Sequence, residues 1–138
     1  MDFERESLAG RLVTAGPAFF LWLGVVPYLT PSGFDETLRV VAARPGNEVV
    51  FDYAQEPSRM PPGRREALEA RAARVARLGE PWLTYLEPGE IASLLGGLGF
   101  DEIEDLGPAQ LGARYFGRPD LPADTPGGHV LRALRSDR

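Results

Sequence analysis

The chain has 138 residues, 43% apolar and 25% charged, with a formal net charge of −5. That is globular composition with material for one core, and its negative balance argues against nonspecific attraction to a nucleic-acid backbone. With no cysteine and a single histidine, His129, it excludes disulfides and thiolate metal sites, and no carboxylate cluster is spaced for a metal.

In chain order, Leu8, Leu12 and Val13 recur at helical spacing and predict a short helix over Glu4–Ala15, stopped by Gly16-Pro17. The run Ala18–Val25 is apolar without alternation and predicts a strand buried on both faces. The run Phe19–Val26 is too short to cross a bilayer, which takes about 20 apolar residues. The start Met1-Asp-Phe-Glu-Arg-Glu lacks the basic and apolar pattern of a signal peptide. The expectation is a soluble cytoplasmic chain with no membrane partner.

Ser32 is a candidate cap for a helix that places Phe34, Leu38, Val41 and Ala42 on one face. Pro45-Gly46-Asn47 is a turn, and Glu48–Tyr53 is a second strand. Gln55–Gly63, with three prolines, reads as a loop. Arg64–Gly79 is strongly helical, with Leu68, Ala72, Val75 and Leu78 in one stripe and a solvated arginine face. A connector with Trp82 and Tyr85 leads to a helix starting near Pro88, in which Ile91, Leu94, Leu95 and Leu98 face inward. Asp101–Gly107 alternates around Ile103 as a strand whose acidic run reads as a solvated edge. A short helix or turn over Ala109–Phe116 and a Pro/Gly-rich loop precede a last strand from His129, read as a strand-end histidine without a catalytic role. All 15 basic residues are arginine, which GC-rich coding explains without a function.

Strands separated by helices predict a parallel α/β sheet, and the loop-linked last two strands predict an antiparallel pair. In open α/β sheets ligands bind beyond the carboxyl ends of strands. The turn Leu23-Gly24-Val25, followed by Pro27 and Tyr28, is such an end.

Four stretches, "DFERESLAGRL", "FFLWLGVVPYLT", "EVVFDYA" and "LGEPWLTYLEPGEIASLLGGLGFDEIEDLGPAQLGARYF", resemble the bacterial branch of the leucine carboxyl methyltransferase family. The resemblance covers nearly the whole chain. It implies a class I S-adenosylmethionine-dependent methyltransferase, and the C-terminal half of its Rossmann-like sheet: mostly parallel, with an antiparallel last strand inserted between its predecessors. Residues 1–138 would form one partial domain without the N-terminal cofactor-binding strands. The family's glycine-rich loop after strand 1 and the acidic ribose-binding residue after strand 2 have no counterpart here. Gly96-Gly97-x-Gly99 and Gly127-Gly128 do not stand between a strand and a helix start.

On the cofactor side the resemblance implies Asp2 and Phe3 beside the adenine, with the turn Leu23, Gly24 and Val25. Leu23 stands where relatives often carry a glutamate. Candidates for a substrate wall are Tyr28, Trp82, Tyr85, Arg114 and Tyr115. Trp82 and Tyr85 could instead be core, and Arg114 could pair with Asp101 or Glu104. No catalytic residue and no metal site is indicated. The methyl acceptor is unidentified, and S-adenosylmethionine binding by this chain alone is expected to be weak or absent. The competing expectation is a noncatalytic remnant or interaction domain that self-associates through an exposed strand edge.

Overall fold

The computed structural model describes residues 17–137. The helix expected over Glu4–Ala15 and the residues Asp2 and Phe3 lie outside this range. Eight main elements follow in order: β1 (Phe19–Trp22), α1 (Pro31–Ala42), β2 (Glu48–Ala54), α2 (Pro62–Arg77), α3 (Pro88–Gly97), β3 (Glu102–Leu106), α4 (Pro108–Tyr115) and β4 (Gly128–Leu134). Short 3-10 turns cover Val26–Tyr28 and Pro57–Arg59.

The four strands form one sheet in the order β1-β2-β4-β3. β1 and β2 pair in parallel, Phe19 opposite Glu48 and Trp22 opposite Phe51, with α1 as the crossover. β4 pairs antiparallel with β2 on one side, Phe51 opposite Leu131, and with β3 on the other, Asp105 opposite Leu131. Three strands therefore share a direction, and β4, inserted among them, runs against it. The family resemblance implies this insertion; the residue pattern alone predicts only the antiparallel pairing of β3 with β4. By pairing, the sheet is not mostly parallel as expected: it has one parallel and two antiparallel pairings, because β4 separates β2 from β3.

One face of the sheet carries the core. Val49, Phe51, Leu131 and Ala133 are fully buried, together with Phe34, Leu38 and Val41 of α1 and Ile91 and Leu95 of α3. The 3.6-residue spacing in both helices explains this: one stripe of each meets the sheet. Phe51 sits at the centre, edge-on to Phe34 at 5.7 Å and tilted against Trp22 at 6.1 Å. Leu94 and Leu98 pack against the same cluster, partly buried.

The expected strand Ala18–Val25 is shorter, and it is not buried on both faces. Trp22 is buried and Phe20 partly so, but Phe19 and Leu21 are 59% and 58% exposed. The reason is positional: β1 is an outer strand of the sheet, and α1 and α3 cover only the face that Phe20 and Trp22 share. Thr30 rather than Ser32 caps α1, because Pro31 takes the first turn and the Gly33 N–H donates to Thr30 Oγ1 at 3.1 Å. The stretch expected as loop from Gln55 contains the 3-10 turn, and α2 begins at Pro62. Leu78, placed in the apolar stripe of α2, is 76% exposed because the helix ends before it. No described helix is long and apolar enough to cross a membrane.

Candidate functional site

Beyond the carboxyl ends of β1 and β2 lies a cavity of about 340 Å³. The chain builds it from three loops and a helix. After Trp22 the backbone turns at Gly24, whose φ of +70° is a left-handed conformation that other side chains rarely adopt. The Gly24 N–H donates to Asp52 Oδ1 at 2.7 Å, fixing the turn to the end of β2. The awkward Gly-Val-Val-Pro-Tyr sequence thus directs Pro27 and Tyr28 into the cavity wall.

The connector between α2 and α3 closes a second side. Leu83 and Thr84 donate their N–H groups to the Pro27 carbonyl at 2.6 and 3.3 Å, and Leu86 donates to the Ala54 carbonyl at 3.0 Å. The Thr84 hydroxyl donates to the Leu29 carbonyl at 2.5 Å and is buried. These bonds staple the connector across the ends of β1 and β2, leaving Trp82 and Tyr85 as half-buried walls. Burial, with the charge of Glu56 second, pushes the Tyr85 hydroxyl above its ordinary pKa.

The third side is the loop before β4. The Gly127 N–H donates to Gln55 Oε1 at 3.0 Å, and Gln55 Nε2 donates to Glu87 at 3.2 Å. Arg59 clamps Glu87 with two bonds of 3.0 and 3.1 Å, and these, more than Gln55, hold the Glu87 carboxyl below the usual range. The helix α2 supplies the last wall through Arg64, Leu68 and Arg71.

Of the residues singled out in the sequence, Gly24, Tyr28, Trp82 and Tyr85 meet at this cavity. Leu23 is 57% exposed beside it, and Val25 packs partly against the core. Arg114 and Tyr115 are on α4, beside β3, and do not line it. Arg114 lies 3.6 Å from Glu104, and Tyr115 is 67% exposed. The arginine face of α2, read from sequence as merely solvated, contributes two guanidinium groups to the cavity. Their i, i+7 spacing places them two turns apart on one helix face, a signal that was available in the sequence.

A second constellation was not foreseen. Asp105 accepts from the Tyr53 hydroxyl at 2.5 Å and bonds His129 Nδ1 at 2.8 Å. The Tyr53 and His129 rings stack at 4.8 Å. His129 therefore stands near the start of β4, as expected, but it is buried and partnered rather than a surface residue, and Asp105 is the exception in an otherwise exposed acidic edge. The cause is register: Tyr53 stands opposite His129 on neighbouring strands, and Asp105 sits diagonally across β4 on the same face. Burial first, then the Asp105 hydrogen bond, pushes the Tyr53 hydroxyl far above its ordinary pKa.

No family model matches the chain, and no curated protein matches it. Its structure is similar to a solved structure described as a possible exported protein from Bordetella parapertussis, with a TM-score of 0.55 and 12% sequence identity. The match covers 86% of this chain and 38% of that one, so the chain spans well under half of that protein's length. The likeness is one of fold.

Proposed function

We propose that this chain is the C-terminal part of an S-adenosylmethionine-dependent methyltransferase similar to the leucine carboxyl methyltransferases, and that its cavity receives the methyl acceptor. The observation that carries the reading is the antiparallel β4 set between β2 and β3, with an aromatic-walled cavity beyond the carboxyl ends of the parallel pair. It is the arrangement that the sequence resemblance implies, at the place where α/β sheets bind ligands. The exposed Phe19 and Leu21 also support it, as apolar surface on the outer strand that further chain could cover.

S-adenosylmethionine, when bound, supplies an electrophilic methyl group. Of the described residues, Leu23, Gly24 and Val25 would stand on the adenine side of such a site. At the rim, the exposed Leu23 and the space over Gly24, where an added Cβ would meet nothing within 4 Å, leave room for a flat ring. Methyl transfer needs alignment and exclusion of water more than acid–base chemistry. Tyr28, Trp82 and Tyr85 would orient the acceptor and keep the cavity dry.

The test is the reading frame upstream of Met1. The proposal expects a strand, a glycine-rich turn and a helix, with an acidic residue after the next strand. An upstream frame closed by stop codons favours the second reading, a noncatalytic domain that self-associates through the face bearing Phe19 and Leu21.

A further inference from the structure

We propose that the cavity is a binding site for a small, flat organic acid whose oxyanion is held by Arg64 and Arg71. This names a ligand class for the same cavity that the proposed function gives to the methyl acceptor, and it rests on the lining of that cavity rather than on methyl transfer. The chain carries 20 acidic residues and a net charge of −5, yet among the described residues no acidic side chain lines this cavity, and the charged groups that do are both arginines. The neighbouring hollow, which shares the Tyr85 wall, is lined by Glu56, Glu87 and Glu90 with Arg59. The sign of charge thus reverses across one tyrosine.

Neither arginine is neutralised by a carboxylate within the described residues, whereas Arg59, Arg114, Arg118 and Arg132 each face one. The Arg71 guanidinium lies 5.8 Å from the Trp82 ring centre. That contact orients the group without cancelling its charge, and it leaves guanidinium donors available. Arg64 reaches across the loop before β4. A Cβ on Gly127 would lie 2.8 Å from Pro108 Cγ, too close for a side chain, and 3.5 Å from Arg64 Nη2, in ordinary contact, which places the guanidinium against the loop.

The remaining walls set the body of the ligand. Trp82, Tyr85 and Tyr28 offer aromatic surface, with Met60 and Leu68 beside them. A volume of about 340 Å³ is at the small end of ligand cavities. The complement of these surfaces is a planar apolar body with one oxyanion at its edge. Carboxylate and phosphate monoester share that chemistry.

Calorimetry with 2-naphthoate, 2-naphthyl phosphate, neutral 2-naphthamide and inorganic phosphate tests this without S-adenosylmethionine present. The inference expects 2-naphthoate or the phosphate ester to bind about tenfold or more tightly than the amide, the gain of one charge-assisted contact. The tighter of the two names the oxyanion. Arg64→Gln and Arg71→Gln lie on exposed positions of α2 and should leave thermal stability intact. Each should weaken the acid about fivefold or more while leaving the amide unchanged; Trp82→Leu should weaken both. Equal affinity for acid and amide, no binding of either acid, binding of inorganic phosphate as tight as that of the ester, or indifference to both arginine substitutions would overturn it. None of these outcomes bears on whether the chain belongs to a methyltransferase.

Discussion

Replacing Asp105 with alanine removes the one acceptor shared by Tyr53 and His129. Tyr53 is 3% exposed and His129 9%, so both donors lose their partner where water reaches poorly. A buried donor left unsatisfied costs about 1–3 kcal/mol. Two would cost about 2–6 kcal/mol if nothing relaxed. The Asp105 side chain is 20% exposed, so water can replace part of the lost bonding, and the lower end, about 2–3 kcal/mol, is the expected loss. Against a total stability of about 5–15 kcal/mol for a domain, urea unfolding followed by circular dichroism resolves it. Tyr53→Phe removes the donor along with the bond and should cost only about 0.5–1.5 kcal/mol. In that background Asp105→Ala should cost about 1 kcal/mol less than in the parent. An Asp105→Ala loss below about 0.5 kcal/mol, or strict additivity with Tyr53→Phe, would refute the idea that the carboxylate is the keystone of this cluster.

The same tyrosine carries a pH dependence. Its hydroxyl stays protonated in the folded chain well above pH 10, whereas the unfolded chain ionises near pH 10. A raised folded pKa gives stability that is complete below about pH 10 and falls as pH rises through the alkaline range toward the folded pKa; Tyr53→Phe should flatten that fall in a titration of unfolding midpoints. Asn47→Ala should cost about 2–4 kcal/mol in chemical denaturation, because this buried side chain accepts from Ala18 N–H at 2.8 Å and donates to the Val41 carbonyl at 3.0 Å, tying β1 to the end of α1. Leu21→Lys should leave the unfolding midpoint nearly unchanged at its exposed position, but it should shift sedimentation of the isolated chain toward monomer; a parent chain that is already monomeric at high concentration would exclude self-association through this face.

Periodicity carried the elements with strong patterns. Phe34, Leu38 and Val41 in α1 and Ile91 and Leu95 in α3 are buried where spacing placed them. The antiparallel pairing of the last two strands also followed, although a short helix, α4, lies between them; the insertion of β4 beside β2 came only from the family resemblance. Periodicity could not tell a strand covered on both faces from an outer strand with an exposed face, since Phe19 and Leu21 are as apolar as Phe20 and Trp22. The aromatic part of the cavity was legible from the turn at Gly24 and the connector with Trp82 and Tyr85. The arginines of α2 were legible only as an i, i+7 pair on one helix face, because an Arg-rich helix looks solvated until a neighbouring loop faces it. The Tyr53–Asp105–His129 cluster depends on strand register over 76 positions of sequence, a long-range property that local pattern does not encode.

The most direct test of the methyltransferase reading is calorimetry with S-adenosylmethionine on two proteins: the 138-residue chain, and the chain joined to the family's N-terminal half with its glycine-rich loop. The account predicts no tight binding by the first, micromolar binding by the second, and a weaker second complex after Asp2→Ala. Micromolar binding to the 138-residue chain alone would place the cofactor elsewhere, and a folded, completed protein that binds none would contradict the reading itself.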